Sequence, residues 1–232
     1  SRDTVKSLPQ LDAMIVRQVR ALATRSGRHI AVVAESEGAL VAKTALLATP
    51  GLPVDALVMA SPLLEPGRTS YPAPGASGWG VAAGEFMTLL GHAFQSVAPI
   101  DLSPDSAFLR SVVEQAAVLR TAMTCPVADV RQLALLPLAD ATVTPVRLPA
   151  AVPSRVVSAF HGGLLSSPDD ERLVALFLEG RPVPRDAFLQ TANDAVRLAA
   201  AAWHVPVVRT GPSPSSCAAA AEALARSVDR RR

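Results

Sequence analysis

The chain has 232 residues, half of them hydrophobic and 18% charged, with 22 Lys and Arg against 20 Asp and Glu. That length accommodates one sizeable globular domain, and so apolar a composition excludes disorder as a global description. A formal net charge of +2 with 4% aromatics argues against nucleic acid as a partner, because such surfaces cluster Lys and Arg and interleave aromatics for stacking.

Leu8, Leu11, Ile15, Val19 and Leu22 recur at three- and four-residue steps and predict an amphipathic helix. Ser7 is placed to cap it, Pro9 falls in its first turn and Gly27 follows its end. The unbroken apolar run Ile30–Ala34 predicts a strand covered on both faces, as in a parallel sheet. After a turn at Ser36, residues 38–47 read as a helix, stopped by Thr49-Pro50-Gly51. Ala56–Ala60 is a second short strand, ended by Ser61-Pro62. Helix, strand, helix, strand is the order of a βαβ-type α/β domain with a mostly parallel sheet flanked by helices.

From residue 62 to 128 the pattern changes. Pro and Gly crowd residues 62–80, and helices are predicted over 81–94 and 106–123, the second with Ser103 as cap, Pro104 after it and the stripe Phe108, Val112, Ala116, Leu119. This block reads as a helical insertion, 62–128, within a core made of 1–61 and 129–232. Strands resume at 130–136 and 156–160, the latter running into His161-Gly162-Gly163. Helices are expected over 169–178, 187–202 and 217–228, and PSPSS at 212–216 is a short linker. No apolar run approaches the roughly 20 residues of a transmembrane helix. The opening SRDTVKSLPQ has no apolar signal core, so the sequence leaves localisation open. Cys125 and Cys217 form no C-x-x-C pair; a disulfide, a buried apolar thiol and a surface thiol all stay open.

The stretch Ala34-Glu35-Ser36-Glu37-Gly38 joins the first strand to its helix. Its plain reading is a tight turn with an exposed serine. Its chemical reading is a nucleophile, since small residues two before and two after a serine at such a turn relieve crowding and let the hydroxyl project above the sheet. The following helix aims free N–H groups at developing negative charge, with the Glu37 N–H as an oxyanion donor. A hydroxyl also needs a base and a group that orients the base. Asp140 stands just beyond one later strand and His161 just beyond the next, in the order Ser, Asp, His.

On those residues the chain resembles the α/β-hydrolase superfamily, specifically its lipase- and esterase-like serine hydrolases. AESEG at 34–38 is similar to the nucleophile elbow, with Ala for the usual first Gly; LLPLADATVTP at 135–145 is similar to the acid loop; AFHGG at 159–163 is similar to the histidine loop. The resemblance implies a triad of Ser36, Asp140 and His161 and cleavage of a carboxylic ester, lipid esters included, through an acyl-enzyme with no cofactor and no metal. It places the 62–128 insertion where the family commonly carries its lid. It also implies strands ahead of the nucleophile strand, so the chain is expected to be the C-terminal portion of a longer protein, with the second oxyanion donor unassigned and oligomeric state open. An acyltransferase or thioesterase would use the same triad with another acceptor or leaving group, and a peptidase is a weaker reading. A non-catalytic binding domain of the same fold is the reading from a different class.

Rivals have plainer roles. His29 opens a strand at the far end from Ser36, His92 falls in a lid helix and His204 lies between late elements; Asp101 and Asp105 lie in the insertion. HGG at 161–163 follows the serine, unlike the esterase oxyanion motif, and Gly78-Trp79-Gly80-Val81-Ala82-Ala83 has no strand leading into it, which argues against a dinucleotide site. Glu35 and Glu37 fit solvated residues at a pocket mouth, groups that disfavour anionic substrates, or groups that position a polar partner. Glu37 also suits a helix N-terminus.

Overall fold

The computed structural model describes residues 6–64, 107–138, 148, 152–159, 161–202 and 213–229. The helix expected over 81–94, the G-x-G-x-x-A run, the cap at Ser103, and Asp101, Asp105, Asp140, His92 and His204 lie outside these residues.

Helix α1, Leu8–Ser26, begins as its sequence dictates. The Ser7 N–H and hydroxyl both donate to Gln10 Oε1, at 2.9 and 3.2 Å, which closes the first turn. Gly27 ends the helix in the left-handed conformation (φ 63°) and donates its N–H to Ala23. The buried stripe is Leu8, Leu11, Asp12, Val16 and Val19, whereas Leu22 is exposed. The inward face is thus rotated from the expected one and takes in an acid.

The sheet has four parallel strands, β1 Ile30–Glu35, β2 Val54–Ala60, β3 Arg131–Pro137 and β4 Ser154–Val157, side by side in that order. β2 is buried along its length except at Asp55, as a central strand must be. β1 corrects the expectation of two covered faces. Among the described residues it pairs with β2 alone, and its exposed positions alternate through Ala31 and Val33. The last strand ends at Val157, short of the expected 160.

Helices cover the two faces separately. On one side α1, α2 (Glu37–Ala48), α3 (Ala107–Glu114), α4 (Ala116–Thr124) and α7 (Pro214–Asp229) share a core with Leu57, Met59 and Ala134 of the sheet. The expected helix over 106–123 is two helices, because Gln115 leaves helical geometry (φ −104°, ψ 9°). On the other side Val58, Ala60, Leu133, Leu135 and Val157 pack with Leu164 and with Val174 of α5 (Pro168–Leu178). Arg131 donates to the Phe177 and Leu178 carbonyls at the end of α5 and lies 5.2 Å over the Phe177 ring. α6, Ala187–Ala202, packs on β4. Cys125, just past α4, is disulfide-bonded to Cys217 in the first turn of α7, across 92 positions. Among the described residues no helix is long and apolar enough to cross a membrane.

Two buried ionisable side chains sit in the larger core. Asp12 Oδ1 accepts from Thr44 at 2.7 Å, while Oδ2 has no partner among the described residues. Burial drives the Asp12 pKa well above the usual carboxylate range, against the lowering by the Thr44 hydroxyl. Lys43 is fully buried, donating to the Cys125 carbonyl and to Gln132 Oε1, and burial brings its pKa down to about 7. In the unfolded chain a lysine titrates near pH 10.4, so between roughly pH 7 and 10 the unfolded state binds a proton that the folded state does not. Stability therefore rises with pH across that window through Lys43. Lys43→Met is expected to remove a slope of up to about 1.4 kcal/mol per pH unit. Denaturant unfolding of both chains at pH 7, 8, 9 and 10 measures it, and parallel pH curves would refute it.

Candidate active site

All four strands run the same way, so their C-terminal ends form one rim, the usual place for ligands in open parallel sheets. Ser36 sits on that rim between β1 and α2. Its backbone has φ 53° and ψ −118°, a conformation that costs a non-glycine residue about 1–3 kcal/mol and concentrates at functional sites. Neighbouring bonds hold it there. The Ser36 N–H donates to the Ala60 carbonyl at 2.9 Å, and the Ser36 carbonyl accepts from Ala39 and Leu40 at the start of α2. The small residues at 34 and 38 face each other: a Cβ added to Gly38 would meet the Ala34 Cβ at 3.8 Å, an ordinary contact. Alanine would fit at 38.

His161 stands in the turn beyond β4. Its Nε2 lies 2.8 Å from the Ser36 hydroxyl oxygen, across 125 positions. With the proton on Nδ1, Nε2 accepts the hydroxyl hydrogen, the geometry a general base needs. Gly162 follows at φ 80°, a left-handed turn that glycine adopts without strain. Asp140, the expected orienting acid, lies outside the described residues. β3 before it ends at Pro137, with the Leu138 N–H donating to Val157. His29 is exposed at the opposite end of β1 from Ser36.

The two glutamates differ. Glu37 is the first residue of α2, its N–H at the helix start, and burial raises its carboxyl pKa. Glu35 is the last residue of β1, and its Oε1 accepts the Leu164 N–H at 3.0 Å. That contact shows nowhere in the local sequence.

In the sequence Ser61 reads only as the end of a strand. It follows β2 with φ 44°, is buried, and its hydroxyl has no partner among the described residues. Because Glu35 pairs with Ala60, Ser36 and Ser61 stand side by side at the ends of adjacent strands. The signal available was the Ser-Pro step placed level with the elbow.

Among the described residues no group of His, Cys, Asp and Glu is arranged to hold a metal ion. The chain matches no protein-family model, no curated protein and no solved structure at a significant level.

Proposed function

We propose that this chain is the catalytic core of a serine hydrolase of α/β-hydrolase type, cleaving a carboxylic ester of a small molecule or lipid through an acyl-enzyme. The carrying observation is the 2.8 Å contact between the Ser36 hydroxyl and His161 Nε2. It joins a strained strand-to-helix turn to a turn at the far side of the sheet. A serine that merely ends a strand has no reason to meet an imidazole there.

In this reading Ser36 Oγ adds to the ester carbonyl as His161 takes its proton. The carbonyl oxygen becomes an oxyanion facing the Glu37 N–H at the start of α2, where the helix dipole also favours negative charge. His161 then gives its proton to the departing alkoxide, leaving Ser36 acylated. Water, deprotonated by His161, adds to the acyl carbon and releases the acid with Ser36 restored. Asp140 is assigned to orient the imidazole and stabilise its cationic form.

A fluorophosphonate probe tests the proposal. The wild-type chain is expected to take one label, at Ser36, and Ser36→Ala to take none while keeping its thermal unfolding midpoint. A wild-type chain that folds and takes no label would overturn the reading.

A further inference from the structure

We infer that Glu35 is a positioning residue that clamps the histidine loop onto the nucleophile strand; the inference rests on the serine hydrolase reading. The strand order is β1-β2-β3-β4, which puts Ser36 and the exit of β4 at opposite sides of the sheet. With strands about 4.8 Å apart, the loop after β4 returns over two strand ends, roughly 14 Å, to bring His161 to Ser36.

Sheet pairing does nothing to hold such a return. Gly162 and Gly163 follow His161 directly, and glycines give a loop freedom rather than stiffness. Among the described residues, Leu164 is a fixed point of this loop. Its side chain is fully buried with Val58, Leu133 and Leu135, and its N–H donates to Glu35 Oε1 at 3.0 Å. That N–H lies three residues after the imidazole, and its acceptor is the residue joined by a peptide bond to Ser36. One dipeptide therefore carries both the nucleophile and the clamp on its base. Leu164 anchors the loop to the middle of the sheet, and Glu35 sets its reach toward the elbow.

Hydrogen exchange and labelling kinetics on the full chain decide it. Glu35→Ala removes the acceptor; Glu35→Gln keeps an oxygen that the Leu164 N–H can reach. The exchange of amides 161–166 is expected to rise about tenfold or more in Glu35→Ala and to stay near wild type in Glu35→Gln. A bond to a charged acceptor is worth about 10- to 100-fold. The maximal rate of fluorophosphonate capture is therefore expected to fall by that factor in Glu35→Ala, with the probe's apparent binding constant unchanged and the rate largely restored in Glu35→Gln. Should Glu35→Ala not fold, Glu35→Asp, which draws the carboxylate back by one methylene, is expected to show the same losses. Wild-type exchange in the variant lacking the acceptor, or a loss confined to probe binding, would overturn the clamp. A wild-type chain that takes no label would instead overturn the hydrolase reading, and the exchange measurement still decides whether Glu35 holds the loop.

Discussion

His161→Ala is expected to slow both ester turnover and fluorophosphonate capture by about ten-thousandfold to a millionfold, the range seen when a member of a Ser-His-Asp unit is removed. The size of the effect follows from the geometry. Nε2 lies 2.8 Å from the Ser36 hydroxyl, so without the imidazole that hydroxyl has lost the acceptor for its proton, and an un-ionised serine is a poor nucleophile. The fold is expected to survive, since His161 is a half-buried turn residue outside both apolar clusters. Thermal midpoints within about 3 °C of each other, with labelling rates far apart, would separate chemistry from stability. Equal labelling rates would refute His161 as the base.

Opening the Cys125–Cys217 link is expected to give the largest loss of stability. The bridge closes a loop across 92 positions, and the chain-entropy estimate for a loop of that size is about 4.5 kcal/mol. For a chain this long the loss corresponds to a midpoint lower by about 10–15 °C. The loss falls on a specific place. α7 packs on α1, α2 and α4, with Leu224 fully buried in the larger core. The Cys125 carbonyl also accepts from Lys43. A Cys125→Ser/Cys217→Ser chain, or the wild type under reductant, should therefore unfold at lower denaturant, and exchange at residues 214–229 should rise first. Unchanged midpoints in both would show that packing alone holds α7.

Much of this layout is legible in the sequence. The short apolar runs were legible as strands because they are too short for helices and are bounded by turn signals. Ser7, Pro9 and Gly27 bounded α1 because caps act within one turn. Ser36 and His161 were legible for a related reason: each stands where a strand hands over to a turn. What was hidden depends on neighbours far along the chain. The exposure of Ala31 and Val33 depends on what covers that face of β1, and an apolar run reads the same with one face covered or two. Lys43 and Asp12 interrupt apolar stripes as surface residues would, and only packing shows that both are buried. The cysteines kept every option because sequence separation says nothing of distance. Glu35 was unreadable because its partner, Leu164, arrives from the other side of the sheet.

The left-handed backbone of Ser36 (φ 53°) bears on when reactivity appears. An isolated chain has no reason to hold a serine there, so the conformation exists only while Ala60 and the first turn of α2 grip it. The imidazole beside it comes from beyond β4, which is joined to β2 through the pairs Val58–Leu133 and Leu136–Val156, pairings of distant segments that form slowly. In the proposed reading, Ser36 without that imidazole is chemically an ordinary alcohol. On the hydrolase proposal a covalent label on Ser36 is expected to work as a clock for folding, with the lag before labelling in a refolding experiment timing the completion of the sheet.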